Sequence, residues 1–519
     1  MLNKRLSSHH LVAGVILLAV SLLIGLFIPL ILKDLNFGLG WLVSSLILLL
    51  SAIILYIAWS LAGRNRALAW LIALAFLLRI IIGIATEAAL PVWGYDETVQ
   101  KSGYLFYDAY KRDNDAWALA KSSQPIWAAF ENEFVGDQYG GLLSISALVY
   151  RNLSSDRHRP YLMMLLTALA GALALPFIWA GAQKRWGRRV ALFAAGLTAF
   201  FPDSVLFGAS QMREPFLVML IAVAFWSMSF WREHKRYAVI AVVASIIGLF
   251  LISYRVAVPA LAVLAGWFLL EQLPRQGDRR IQMITWGAII IAAFVMAALS
   301  WGWLQSSSNW DILETIRTSG RVQYVFESIP EKYKVPFVIG YGLTQPVLPA
   351  AIVDPALPIW RSIAILRGVG WYAVAPLLIY AFLAAWKSKE PVDRRVLVWL
   401  SISMVIWLLI SSARAGGDQW DNPRYRSIFL VYFALLCGWA WDYARRNKDA
   451  WLVRFYLVEG IFLGFFLEWY ISRYYQVIGR LPFEKMLLWV AGLSIAVIVG
   501  GAVWDRINKN RRPRKINSS

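Results

Sequence analysis

Three short stretches concentrate the groups able to do chemistry. Gly94-Tyr95-Asp96-Glu97 closes an apolar run. Adjacent carboxylates there can ionise, accept a proton or bind a cation, and like charges this close can raise one pKa; ordinary acids at a solvated helix end would look the same. The second stretch runs from Phe201-Pro202-Asp203 to Arg213-Glu214-Pro215, at the start of another apolar run. Pro215 suits a first helical turn, the helix dipole favours Glu214, and Arg213 can pair with that acid or hold a phosphate. The third, Arg414 to Arg426, packs Arg414, Arg424, Arg426, Asp418 and Asp421 into thirteen residues. Arg424 and Arg426, with Tyr425 between them, could clamp a phosphate or pyrophosphate through forked donors, or close an internal network with the two aspartates.

Arg79, Glu87 and Glu468 stand inside apolar runs, where a charge at the bilayer centre costs roughly 2.5–3.5 kcal/mol. Arg79, nearest the middle of its run, most needs a partner. No phosphate-binding Walker loop, HExxH or GxSxG signature occurs. The histidines His9, His10, His158 and His234 are too scattered for a metal site, although the acids of the outer loops could hold a divalent cation. A single cysteine, Cys437, excludes an intramolecular disulfide.

The elements that must carry these stretches are apolar. Of 519 residues, 59% are hydrophobic and 16% charged, against about 25% charged in soluble domains. Apolar runs fall at about 11–32, 39–61, 67–90, 160–182, 190–210, 215–231, 237–253, 256–273, 281–304, 363–386, 396–412, 427–444, 451–471 and 485–505, each near the ~20 residues of a membrane helix. The spacing predicts an all-α polytopic membrane protein of about 14 (12–14) transmembrane helices, with only Tyr254-Arg255 dividing the seventh from the eighth. With the amino terminus in the cytoplasm, the inner segments hold 28 Lys and Arg and the short outer connections eight, as the positive-inside rule requires. Both termini are then cytoplasmic, and the net charge of +20 reads as loop topology rather than nucleic-acid binding. Residues 1–505 form one transmembrane domain and 506–519 a basic cytoplasmic tail near anionic headgroups. Two long segments, 91–159 and 305–362, face outward. Both are expected to form short helices and turns, without a substantial core of their own.

With these pieces in order, the sequence resembles bacterial membrane glycosyltransferases of the GT-C superfamily, near the protein mannosyltransferase and aminoarabinose transferase branch (family 39-like). The resemblance is carried by Gly94-Tyr95-Asp96-Glu97, Gly136-Asp137-Gln138-Tyr139-Gly140, Lys184 to Leu192, Phe201-Pro202-Asp203, Arg213-Glu214-Pro215 and Arg424-Tyr425-Arg426. It implies a GT-C-like fold whose two outer loops make the active-site cavity, in a bacterial plasma (inner) membrane. Asp96 would be the general base that activates the acceptor, assisted by Glu97. Asp137 and Glu214 would be supporting or metal-binding acids, and Arg213, Arg414, Arg424 and Arg426 would hold a polyprenyl phosphate. The implied reaction moves a sugar, with inversion, from a polyprenyl-phosphate donor to a lipid, glycan or protein acceptor, among membrane lipids. The sequence departs from the family pattern in two places: two apolar runs precede the one that ends at Asp96, and Arg213-Glu214 stands where Arg-Asp is common. A polymerase or ligase of lipid-pyrophosphate-linked oligosaccharide would also place arginines in outer loops. A flippase for lipid-linked sugars would be expected to show paired halves, and no internal symmetry is seen.

Overall fold

A computed structural model of the chain describes residues 8–131, 140–272, 329–417, 420–476 and 481–511, with position 479 and three isolated positions between 283 and 291. Asp137, Asp418, the apolar run 281–304 and the first part of the second outer loop lie outside the described residues. Those described contain helices and no strand. In order these are α1 (Ser8–Ile31), α2 (Phe37–Leu61), α3 (Arg66–Trp93), α4 (Thr98–Lys101), α5 (Tyr107–Lys121), α6 (Gly141–Leu153), α7 (Pro160–Trp186), α8 (Arg188–Phe200), α9 (Pro202–Gly208), α10 (Glu214–Phe230) and α11 (Lys235–Gln272). They continue as α12 (Glu331–Thr344), α13 (Leu348–Val353), α14 (Pro358–Ala385), α15 (Pro391–Ala415), α16 (Asp421–Ser427), α17 (Leu430–Asn447), α18 (Trp451–Tyr474) and α19 (Phe483–Arg511).

Every expected apolar run other than 281–304 falls on one of these helices. Among the described residues, eight helices are long and apolar enough to cross a membrane, or up to ten if α8–α9 and α16–α17, bent by 54° and 72°, are each one span. The difference from about fourteen has local causes. The α10 helix is short, α18 carries Arg454, Glu459, Glu468 and Arg473, and α11 counts as a single helix.

Yet α11 is not one straight rod. Ser253 has φ −166° and ψ 99°, outside helical values. At 1.5 Å per residue a continuous α11 would separate its ends by roughly 57 Å. Instead Arg185 pairs with Glu271 near its end, Lys184 lies 2.9 Å from Glu233 just before its start, and Arg232 donates to the Glu271 carbonyl at 3.5 Å. The chain therefore reverses at Ser253, one residue before the Tyr254-Arg255 break that the sequence marks. At the turn, α6 is pressed close: a Cβ on Gly141 would lie 2.2 Å from the Leu251 carbonyl oxygen.

The chain forms two compact units, Met1–Ser307 with Pro423–Gly438, and Ser308–Asn422 with Trp439–Ser519. In the first, α7 is the central helix, packed on α2, α3, α8 and α10. Among the described residues the intramembrane Arg79 meets no acid; it meets backbone. Its guanidinium donates to the carbonyls of Ala75 (2.9 Å), Ala199 (3.1 Å) and Thr198 (3.3 Å) and to the Ser204 hydroxyl (2.9 Å). Pro202, at the first turn of α9, cannot continue the backbone ladder of α8. Arg79 supplies donors to carbonyls at the end of α8 and so fixes the bend that leads to Arg213-Glu214.

The first outer loop is built on this frame. Arg151 of α6 donates to the carbonyls of Leu119 (2.7 Å) and Ala120 (3.3 Å), capping the carboxyl end of α5. Leu119, Leu142, Leu143, Ala147 and Tyr150 share one apolar cluster with Met163 of α7. All of these but Met163 belong to the loop, which therefore has a small apolar cluster of its own resting on α7. Asp34, between α1 and α2, ties the loop's far end down through Arg159 (2.6 Å) and Tyr161 (2.7 Å). In the second unit, α12 packs on α15 and α18 on α19, Asn422 donates to the Gly342 carbonyl at 2.9 Å, and Arg367 lies 4.7 Å over the Trp420 ring.

Arg79→Met retains bulk and removes the donors. Each carbonyl left unsatisfied costs about 1–3 kcal/mol, so the detergent-solubilised variant should show a lower apparent melting temperature by calorimetry or tryptophan fluorescence. An unchanged melting temperature would mean that the α8 carbonyls have other donors.

Candidate active site

In the first unit, three distant segments deliver charge to one point. Glu214 opens α10, after a turn in which Arg112 donates to the Gln211 carbonyl at 2.5 Å. Asp108 stands in the first turn of α5. Arg424 belongs to α16. The Arg424 guanidinium donates through Nε to Glu214 Oε1 at 2.7 Å and through Nη1 to Asp108 Oδ2 at 2.6 Å, while Arg213 Nε lies 3.9 Å from Glu214 Oε1. Arg424 and Glu214 are almost wholly buried; the Asp108 side chain is 47% exposed.

Burial pushes the Asp108 carboxyl up, but the guanidinium groups of Arg424, then Arg112 and Arg213, outweigh it and hold its pKa below the usual carboxylate value. Asp108 is thus a fixed negative charge and a weak base. Among the described residues the cluster contains two carboxylates and three guanidinium groups, whose forked donors are of the kind that hold an anion. The half-exposed Asp108 is where an incoming group can reach it.

Of the residues singled out in the sequence, Arg213, Glu214 and Arg424 converge here. Arg426 is buried two residues further along α16. Arg414, half-buried in the last turn of α15, belongs to the second unit. Asp96 and Glu97 form the turn after α3: Gly94 continues α3 by one bond to the Leu90 carbonyl, and the Gln100 side chain accepts from the Tyr95 amide at 2.6 Å. A Cβ on Gly94 would sit 2.5 Å from that Gln100 oxygen. Asp96 is 85% exposed and pairs with Lys101; Glu97 is exposed at the start of α4. Neither forms an ion pair with the Arg424 cluster. Asp108 and Arg112 went unselected by sequence reasoning, although their spacing of four places them on one face of a charged helix. Among the described residues no group of three or more His, Cys, Asp or Glu is placed to hold a metal.

The family model for dolichyl-phosphate-mannose–protein mannosyltransferases matches residues 157–301, a segment that includes Arg213-Glu214. No curated protein matches. Among solved structures, the archaeal oligosaccharyltransferase AglB from Archaeoglobus fulgidus, in complex with an inhibitory peptide and a dolichol-phosphate, is similar at 12% identity and a TM-score of 0.33, over 83% of this chain and 54% of that one. This chain therefore spans about half the length of that protein. The family match covers residues 157–301, less than half of the chain, and the described residues form an all-helical polytopic membrane protein with eight to ten helices able to cross a membrane.

The ion cluster has a pH signature. The folded pKa of Asp108 lies below its unfolded value, so its contribution to stability is complete above about pH 4 and disappears as the pH falls through the folded pKa. Asp108→Asn should therefore be less stable than wild type at neutral pH, with the gap closing in acid. Unfolding followed across that range checks this; a gap that stays constant to about pH 2 would contradict it.

Proposed function

We propose that the chain transfers a sugar from a polyprenyl-phosphate-linked donor to an acceptor at the extracytoplasmic face of a plasma membrane, with inversion at the anomeric carbon. The observation that carries this reading is the buried Arg424 held between Glu214 and Asp108, with Arg213 and Arg112 beside it. A lipid-borne phosphate needs a positive site at the end of apolar helices, because its tail stays in the hydrocarbon. The family match, to dolichyl-phosphate-mannose–protein mannosyltransferases, supports the same donor class.

In this scheme Arg213, Arg424 and Arg426 bind the phosphate of the donor and stabilise it as it leaves. Glu214 keeps Arg424 aimed, and its burial makes that pairing permanent. Asp108, the exposed partner, is the one that a phosphate oxygen can replace. With its pKa depressed, it is poorly suited to take a proton. Asp96, on the solvent side of the same outer loop, is the proposed general base, with Glu97 beside it. The acceptor hydroxyl or amine gives up its proton as its lone pair attacks the anomeric carbon, and the sugar–phosphate bond breaks with its electrons on the lipid phosphate.

Asp96→Asn in reconstituted vesicles should lower transfer by about 10²–10⁴-fold while leaving donor binding near normal, as loss of a general base predicts. Turnover close to wild type would remove Asp96 from the mechanism. Arg424→Lys keeps a charge but loses the fork, and is expected to weaken donor binding in the same vesicles. Unchanged donor affinity would make Arg424 purely structural.

A further inference from the structure

Helix α5 has a second polar face. Asp108 and Arg112 share one side, and Tyr110 and Asn114, two residues on and therefore roughly 200° around the helix, line a different space. That space is a cavity of about 320 Å³ bordered also by Leu32, Asp34, Glu87, Tyr104 and Arg157 to Tyr161. It is a built site. Behind it the buried Asp113 accepts hydrogen bonds from the hydroxyls of Tyr104 (2.6 Å) and Tyr150 (2.5 Å) and lies 2.8 Å from His158 Nε2. His158 is in turn stacked on Trp117, with ring centroids 5.1 Å apart.

The charges of the lining do not all cancel internally. Arg159 is committed to Asp34 (2.6 Å) and Asp156 (2.5 Å). Arg157 comes only within 3.6 Å of Asp34, and its Nη1 is buried without a hydrogen-bond acceptor. Glu87, on the last turns of α3, opens onto the cavity, and no hydrogen bond to its carboxylate is found among the described residues. A carboxylate lacking donors and a guanidinium nitrogen lacking an acceptor thus border one small polar space. Its position fixes what can enter. Leu32 follows the end of α1 and Glu87 lies near the end of α3, so the cavity stands at the ends of apolar spans. The nearby Leu35, Val92 and Trp93 are exposed, as residues in contact with lipid would be.

We propose that this cavity binds the headgroup of a zwitterionic phospholipid bearing a primary amine, with the ammonium on Glu87 and the phosphate on Arg157. The acyl chains stay outside, along α1 and α3. Phosphatidylethanolamine fits because its amine has N–H donors for Glu87. Phosphatidylcholine has the same net charge but no such donor, and phosphatidylglycerol lacks the cation.

Native mass spectrometry of the full chain, released from mild detergent with each lipid added in turn, tests the proposal. Phosphatidylethanolamine should be retained roughly tenfold better than phosphatidylcholine, the size expected for a charge-assisted hydrogen bond. Soluble phosphoethanolamine should displace it, and Glu87→Gln should erase the preference. Equal retention of the two lipids by the wild-type protein overturns the proposal without recourse to any variant. Failure of soluble phosphoethanolamine to compete would show that the tails, not the headgroup, are recognised, and would overturn it equally.

Discussion

A guanidinium almost without access to water must find acceptors, and where these are carboxylates, removing one costs about 3–5 kcal/mol because a buried charge is left unpaired. Arg424 meets that demand with Glu214 and Asp108, which are 210 and 316 positions away in the chain. Much of the first unit can be read as the means of satisfying it. Helix α10 must start where Glu214 faces Arg424, which requires the bend between α8 and α9. That bend requires donors for the carbonyls at the end of α8, and Arg79 provides them from the middle of α3. One intramembrane arginine thus contributes, at a distance, to the placement of another.

The same logic separates the two ends of the helices. Lys184, Arg185, Arg232, Glu233 and Glu271 meet at one end. The Asp34–Arg159 tie, the Arg112–Gln211 contact and the Asp108–Arg424–Glu214 cluster belong to the connections that the charge pattern assigns to the other. Acidic and basic groups distant in the sequence are therefore delivered together, while the bulk of the positive charge stays with the remaining loops.

This segregation was legible in the sequence because it depends on composition alone: apolar runs and counts of Lys and Arg need no knowledge of partners. The reversal of α11 was legible too, through Tyr254-Arg255. Arg424 stood out in a short stretch crowded with arginines, and Arg213 and Glu214 because they open an apolar helix beside Pro215. Asp108 did not, since it is one of several acids in the segment 91–159 and nothing local distinguishes the one that meets Arg424 from those that meet water. Arg79 was recognisable as costly, but not as a backbone cap. An acid partner leaves a complementary charge in the sequence; a bare carbonyl leaves nothing to find, because every residue has one. The α8–α9 bend was likewise hidden, since an apolar run broken by a proline still reads as one run.

Helix α5 shows how a loop with only a small apolar core can be held rigid. It spans 15 residues, a length at which an isolated helix is marginal in water, and its composition is too polar for burial of one apolar stripe to hold it. It is fixed instead on several sides: Asp108 through Arg424, Asp113 through two tyrosines and His158, and its carboxyl end through Arg151. Ala116 and Leu119 fill the remaining face. Each tether reaches outside the helix, to the turn before it, to α6, to the segment before α7 or to α16, so α5 is ordered by its neighbours and not by its own propensity. A polar helix held in this way can present carboxylates on two separate faces, Asp108 half-exposed on one and Asp113 buried on the other. An apolar helix of the same length would have no such groups to present.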